Sequence, residues 1–276
     1  MEDMITTIFV LCDELLKALN IKEDPQVKMN NAEVMTVGLV AAYFFVGHHE
    51  RSCQFMVEHN YLKNLLSKSR FNLRLHNIGE PIWMLLFQVI AQTFKELNPG
   101  QECQEYILDS FPVPVCDNIR IDRCKIYKQE EYRGYIASKK RYFYGLRVHM
   151  LVNKSGNPIE FYHAPGSYND VKVLQSFCFD LPSNSLVYGD KAYNDYQLED
   201  LLKESAKIKL KPLRKKNSKR KESPCFEYIQ QVTRKQVETC FSRITNLFPK
   251  SIHAVTSKGF ELKIILFIIA FCIQFL

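Results

Sequence analysis

The sequence predicts an α/β protein in which a mixed five-stranded sheet with flanking helices follows an all-helical N-terminal domain. Three observations support this prediction. Residues 1–100 carry apolar side chains at helical spacing, and β-type runs begin only after residue 100. Five short β-type runs follow, and helical patterns come after the third, fourth and fifth of them. We therefore expect two domains, at residues 1–100 and 101–276.

The first domain is predicted to consist of helices. Apolar residues within 5–19 recur at three- and four-residue steps, which places them on one helical face. Asn30 and Glu33 resemble a capping box before a second helix over 34–45. Further helices are predicted over residues 61–66, 69–79 and 82–97. The breaker Asn98-Pro99-Gly100 is expected to end the last of them.

The second domain is predicted to hold five strands. Pro112 and Pro114 limit how far the first strand can pair inside a sheet. The second and third strands are close enough to form a hairpin across the turn Ser155-Gly156-Asn157-Pro158. The predicted strands cover residues 105–115, 142–152, 159–163, 185–188 and 208–213. Their order, with the helices that follow, matches a ribonuclease-H-like sheet.

Three helices, a basic loop and an apolar tail complete the predicted elements. Helices are expected over 170–179, from Asp195 onward and over 226–248. The loop 213–224 is rich in Lys and Arg and holds a single acid. The tail, 264–276, is almost wholly apolar, but a membrane-spanning helix needs roughly 20 residues. We therefore expect a buried helix that completes the core of the last domain.

Charge and cysteine content narrow the class of protein. Lys and Arg outnumber Asp and Glu by 37 to 30, and this net charge of +7 suits a polyanionic partner without requiring one. The nine cysteines include no CxxC pair and no Cys/His group with zinc spacing. An odd cysteine number and an acidic, amphipathic start without a signal sequence indicate reduced thiols and a cytoplasmic protein.

Three acids occupy positions that a sheet and a neighbouring helix can bring together. Asp109 lies in the first predicted strand, Asp190 directly follows the fourth, and Glu238 lies inside the last helix. In-line cutting of a phosphodiester needs charge neutralised on the attacking and leaving oxygens, which two Mg²⁺ ions about 3.5–4 Å apart provide. Because Mg²⁺ prefers oxygen ligands, Asp109 would bridge both ions while Asp190 and Glu238 each hold one.

The same acids also have ordinary structural explanations. Asp190 suits a turn before a helix. Glu238 suits an ion pair with Arg234, four residues earlier, which is the less favourable orientation for such a pair. Since the chain has 30 acids, spacing alone leaves both explanations open.

The segments around these acids carry a family resemblance. LDSFPVPVC contains Asp109, VYGDKAYND contains Asp190 and RKQVETCFSRI contains Glu238. In order, they resemble the three catalytic segments of DDE transposases from bacterial insertion sequences, and Gly-Asp-Lys-x-Tyr between a strand and a helix is the most specific element. The resemblance implies a ribonuclease-H-like catalytic domain with Asp109, Asp190 and Glu238 as ligands of two Mg²⁺ or Mn²⁺ ions. It also implies cut-and-join chemistry on the element's own terminal repeats.

The sequence departs from one pattern within this group of enzymes. Related transposases carry Tyr-x-x-Arg-x-x-x-Glu followed by a Lys seven residues later. Arg234 and Glu238 match, whereas Gln231 and Thr245 stand at the Tyr and Lys positions. In the family that Lys contacts the terminal phosphate, so the resemblance assigns no residue here to this contact.

Basic residues near the three segments are candidates for DNA contact. The cations of 139–141 stand beside aromatic residues, Lys191 follows Asp190, and a basic loop follows the last strand. Contacts from such residues to phosphates provide affinity and position without recognising sequence. The alternatives are a solvated loop and an edge strand guarded by charge.

The N-terminal domain is expected to bind the DNA ends. Arg70 and Arg74 are four residues apart on a predicted helix, whose shared face could enter a major groove, where Arg recognises guanine. An ordinary packing helix is equally consistent with this segment. The predicted DNA-binding residues are Arg70, Arg74, Lys139, Lys140, Arg141, Lys191, Arg214, Lys215, Lys216 and Arg234.

The sequence therefore predicts a metal-dependent DNA transposase. Water attacks the phosphodiester at the element end, and the freed 3′-OH then attacks target DNA. The expected partners are double-stranded DNA, as terminal inverted repeats and target, and a second copy of the chain in a homodimer on DNA. No membrane partner is expected, and the location implied is the bacterial nucleoid. Two alternatives remain: a catalytically inactive DNA-binding derivative, and a ribonuclease-H-like nuclease without strand transfer.

Overall fold

The structure is a computed structural model that describes residues 1–96 and 104–276. These residues form two compact units, one of Met1–Ile90 with Ile244–Leu276 and one of Ala91–Arg243. The division differs from the predicted domains 1–100 and 101–276, because the end of the chain belongs to the first unit. The predicted breaker Asn98-Pro99-Gly100 lies outside the described residues.

The N-terminal region is helical, as predicted. The helices are α1 (Glu2–Ala18), α2 (Asn31–Phe44), α3 (His49–Glu58), α4 (Lys68–Asn77) and α5 (Glu80–Glu96). The predicted capping box of α2 is confirmed. The Asn30 side chain accepts from the Glu33 N–H at 2.7 Å, and the Glu33 carboxylate accepts from the Asn30 N–H at 2.7 Å.

One predicted helix is wrong and one helix was not predicted. Residues 61–66 form no helix, and α3 lies just before them. The buried residues of α3 are Ser52, Cys53 and Met56, which give a weak apolar pattern in the sequence.

The apolar tail forms α9 (Ser257–Ile273), in which every residue from Ile264 to Ile273 is buried. A helix that is apolar on all sides belongs inside a core, so the predicted buried helix is confirmed. Its location is corrected, because α9 packs on α2, where Leu266 lies against Gly38. The tail therefore completes the core of the first unit. No helix in the described ranges is long and apolar enough to cross a membrane.

The second unit is built on a mixed six-stranded sheet, which confirms the predicted class. The strands are β1 (Glu105–Asp117), β2 (Arg133–Ile136), β3 (Arg141–Asn153), β4 (Pro158–Pro165), β5 (Leu186–Gly189) and β6 (Lys209–Pro212). β1 is antiparallel to β3 and parallel to β5, and β5 is parallel to β6. β2 and β4 both pair with β3. The strand that the sequence did not predict is β2, whose four residues are too few for a clear alternating pattern.

The prolines of β1 explain where its pairing stops. Pairing with β5 ends at Leu108, whereas β3 accompanies β1 as far as Asp117. Pro112 and Pro114 therefore lie in the half of β1 that pairs with β3 alone among the described strands. Proline is tolerated there because one edge of the strand makes no ladder. The carboxyl-terminal half of β1 is thus open on the side of β5.

Helices follow the last strands in the predicted order. They are α6 (Asp170–Leu174), α7 (Tyr196–Ser205) and α8 (Pro224–Leu247). The Asp195 side chain caps α7 by accepting from the N–H groups of Gln197 and Leu198. α6 is shorter than the predicted 170–179, and Phe179 takes a left-handed conformation at φ 49°, which a helix does not contain.

Candidate active site

Two of the predicted carboxylates meet at the end of a parallel strand pair. β1 and β5 are in register with Leu108 opposite Gly189. Asp109 is the next residue of β1, and Asp190 is the first residue after β5. Neighbouring positions of paired strands project to the same face of a sheet. The register therefore places two carboxylates side by side, although they are far apart in the sequence.

The guanidinium of Arg234, on α8, binds both carboxylates. Its Nη2 donates to Asp109 Oδ2 at 2.8 Å, and its Nη1 donates to Asp190 Oδ1 at 3.3 Å. The side chains of Arg234, Asp109 and Asp190 are 19%, 20% and 44% exposed. Two carboxylates that contact the same guanidinium are close enough to disfavour each other's negative charge. The positive charge of Arg234 offsets this repulsion.

Backbone groups orient the two carboxylates. Asp109 Oδ1 accepts from the Ser110 N–H at 2.8 Å, and Asp190 Oδ1 accepts from the Lys191 N–H at 2.6 Å. Burial raises the pKa of Asp109 above its ordinary value. The charge and hydrogen bond of Arg234 act against this rise, and the charge of Asp190 adds to it. The charge and hydrogen bond of Arg234 therefore favour the ionised form of Asp109.

A third acid, Asp170, lies beside this pair and was missed by the sequence analysis. Burial raises its pKa, Arg147 opposes the rise, and the charges of Asp109 and Asp190 add to it. Asp170 stands in the first turn of α6, where acids are common because they complement the helix dipole. No cue in the sequence separates it from an ordinary residue of a helix start.

His149, on β3, is a fully buried residue next to this third acid. Its Nδ1 is 3.7 Å from Asp170 Oδ1 and 2.9 Å from the Tyr193 hydroxyl oxygen. Burial lowers the pKa of His149 to about 3, so the imidazole is neutral. Its Nε2 is buried without a hydrogen-bond partner. His149 thus lies on a strand, as the predicted strand over 142–152 implies.

Glu238 does not join the two aspartates. It lies on α8 one helical turn after Arg234, and its side chain is exposed. Within residues 1–96 and 104–276, no group of three or more His, Cys, Asp or Glu side chains is arranged to hold a metal ion. The structure thus brings Asp109 and Asp190 together around Arg234 and leaves the third predicted ligand outside the group.

Most of the predicted DNA-contacting cations lie on the surface. The exposed ones are Arg70, Lys139, Lys140, Arg141, Lys191, Lys215 and Lys216. Arg141 also forms an ion pair with Asp117 at 3.3 Å, which is partly exposed. These exposed cations are available to a polyanion.

Two other predicted cations are engaged inside the fold. Arg214 is 8% exposed, and its guanidinium donates to both oxygens of Glu199 at 2.7 and 2.8 Å. Arg74 donates to Glu23 at 3.0 Å and to Asn31 at 2.9 Å. The prediction of phosphate contact for Arg214 is corrected on this ground, because its charge is already paired below the surface. The proposed DNA contacts therefore omit Arg214 and Arg74.

The comparison with known families identifies the second unit. The family model described as a transposase DDE domain matches residues 100–253, more than half of the chain. The match includes Asp109, Asp190 and Glu238, and the mixed sheet with flanking helices is consistent with the ribonuclease-H-like domain of this family. No curated protein matches the chain. The chain therefore belongs to the transposase DDE domain family.

Proposed function

We propose that the protein is a metal-dependent DNA transposase that cuts at the terminal inverted repeats of a mobile element and joins the 3′-OH ends to target DNA. One observation carries the proposal. Asp109 and Asp190 come from different parts of the region matched by the family, and the register of β1 and β5 sets them side by side. Paired carboxylates at the end of a sheet are the ligand type that two-metal phosphodiester chemistry requires.

The residues at this point fit a divalent cation. Asp109 and Asp190 supply carboxylate oxygens, which Mg²⁺ and Mn²⁺ prefer, and both already face one shared cation, the guanidinium of Arg234. We propose that Asp109 and Asp190 are ligands of the divalent ions, and that Glu238, which lies outside this pair in the structure, is the third ligand implied by the family resemblance. When bound, such ions activate the attacking water or 3′-OH and neutralise charge on the phosphate.

The chain's own residues orient these ligands and the DNA. The N–H groups of Ser110 and Lys191 each donate to Oδ1 of the preceding aspartate, which orients the two carboxylates. The exposed side chain of Lys191 directly follows Asp190, so it would be within reach of a phosphate bound to a divalent ion on that carboxylate. Two element ends must be processed together, so we propose that two protomers act as a homodimer on DNA.

The test is a strand-joining assay. A duplex that carries the inverted repeat flanking the coding sequence is incubated with the full chain, Mg²⁺ and a target plasmid. We expect nicking at the repeat end and covalent joining of its 3′ strand to the plasmid. Hydrolysis without joining would contradict the proposal in favour of a nuclease. Tight DNA binding without any cutting would contradict it in favour of an inactive binding protein.

The exposed lysines of the loop after β6 are expected to contact phosphates. Replacing Lys215 and Lys216 by Ala should weaken duplex binding about equally for all sequences. It should also reduce the salt dependence of the affinity by about one unit of slope for each lost contact. Fluorescence anisotropy at several salt concentrations measures both quantities. The matched control replaces the exposed Lys203 and Lys207 by Ala. An unchanged slope in the first variant would remove the loop from the DNA interface.

A further inference from the structure

The guanidinium of Arg234 stands where the two proposed metal ligands converge. We propose that Arg234 is a resident cation that competes with the divalent ion for Asp109 and Asp190, and that it exchanges these carboxylates for a DNA phosphate when the ion binds. This inference rests on the proposed function and adds a control step to the same site. It follows from the contacts, the burial and the charges around Arg234.

The contacts show that one guanidinium serves both carboxylates. Nη2 of Arg234 is 2.8 Å from Asp109 Oδ2, and Nη1 is 3.3 Å from Asp190 Oδ1. Asp109 accepts from Arg234 on Oδ2 and from the Ser110 N–H on Oδ1, whereas Asp190 Oδ1 accepts from both Arg234 and the Lys191 N–H. An ion held by both aspartates would need the same region of space. Arg234 and the ion therefore exclude each other.

The charges at the site also indicate that Arg234 and a divalent ion do not bind the aspartates together. A divalent ion and a guanidinium on one pair of half-buried carboxylates would be like charges a few ångströms apart, an arrangement that burial makes costly. In the absence of an ion, the arginine offsets the repulsion between Asp109 and Asp190. The structure thus provides one positive charge for a pair of ligands that would otherwise be left uncompensated.

The guanidinium of Arg234 makes two side-chain hydrogen bonds, one to each aspartate. Its Nε is buried without a hydrogen-bond partner, so the guanidinium is held at its two Nη atoms. Arg214 also has a buried Nε without a partner, but its guanidinium makes three hydrogen bonds, to both oxygens of Glu199 and to Asn194, and its side chain is only 3% exposed. Because 19% of the Arg234 side chain is exposed, it can leave the aspartates without opening the core.

The exchange couples the binding of DNA to the binding of the metal ion. A phosphate that attracts the guanidinium uncovers the aspartates, and an ion that takes the aspartates releases the guanidinium toward a phosphate. Such coupling is reciprocal, so DNA must raise metal affinity by the factor by which metal raises DNA affinity. The carboxylates would then be fully open to an ion only on DNA, which would limit cutting in its absence.

The test measures Mn²⁺ affinity of the full chain by isothermal titration calorimetry, without turnover. We expect Arg234→Met to bind Mn²⁺ about tenfold or more tightly than the wild type without DNA, because two charge-assisted hydrogen bonds no longer have to be broken. Arg234→Lys keeps a charge but lacks the planar fork that spans both carboxylates, so its affinity should lie between the two. The matched control is Lys235→Met, an exposed cation on the same helix.

The second arm repeats the titration with a DNA duplex. Wild-type affinity for Mn²⁺ should rise when duplex is added, whereas that of Arg234→Met should not. Equal affinity of the two proteins without DNA would overturn the inference and leave the proposed function intact. Absence of Mn²⁺ binding by every variant, with or without duplex, would instead overturn the proposed function. If thermal unfolding shows that Arg234→Met is not folded, the comparison of Arg234→Lys with the wild type decides in the same way.

Discussion

Replacing Asp190 by Asn is expected to slow cutting and joining at the repeat end by at least about 100-fold, the effect of losing a few kcal/mol of charge stabilisation. Asparagine has nearly the shape of aspartate and can still accept from the Lys191 N–H through its Oδ1. The fold should therefore survive, and the loss should report the missing charge. Initial rates of joined product with Mg²⁺ give the measurement.

The control for this variant is Asp122→Asn, which removes an exposed carboxylate in the turn after β1. We expect its rate to stay within about twofold of the wild type, since surface substitutions rarely matter. Duplex binding measured for both variants separates a defect in chemistry from a defect in DNA contact. Undiminished joining by Asp190→Asn would reject Asp190 as a catalytic residue.

The largest effect on stability is expected at the buried ion pair of α7. The side chains of Arg214 and Glu199 are 3% and 5% exposed, and the two nitrogens of one meet the two oxygens of the other. Glu199→Gln leaves the Arg214 charge buried without an anionic partner there. Removing one partner of such a buried pair costs about 3–5 kcal/mol. We therefore expect the free energy of unfolding, measured in urea, to fall by about this amount.

The neighbouring acid gives a matched comparison. Asp200 follows Glu199 on α7 and binds Arg220 at 2.7 Å, but both of these side chains are well exposed. Water already solvates such a pair, so Asp200→Asn should change the unfolding midpoint far less than Glu199→Gln does. Equal shifts in the two variants would show that the buried pair has no special role in stability.

The positions of Asp109 and Asp190 on or next to strands could be predicted because local sequence determines where these strands lie. A short apolar run followed by Gly-Asp identifies the end of β5, and Asp109 lies within the clearest β-type run of the chain. Parallel pairing then brings the two together without any further information. The role of Arg234 could not be predicted from the sequence. The position of a cation on a helix does not show which of the 30 acids it contacts in the fold.

The environment of other residues could not be predicted because it depends on tertiary structure. Arg214 lies in a basic run that is typical of an exposed loop, yet its side chain is buried in an ion pair with Glu199 on α7. Asp170 looks like an ordinary first residue of a helix, and its proximity to the aspartates arises from how α6 follows the sheet. Glu238 lies on the predicted helix, but its exposed side chain is not grouped with the two aspartates in the structure, so its role as a third ligand stays a prediction.

The position of α9 affects the order in which the chain can mature during synthesis. Its partner α2 leaves the ribosome more than two hundred residues earlier, and its residues from Val34 to Ala42 are all buried in the folded chain and mostly apolar. The surface of α2 that packs on α9 therefore stays uncovered by α9 until all strands of the sheet have been translated. The nascent chain is therefore most prone to aggregate in this interval, and holdase chaperones would act there on α2.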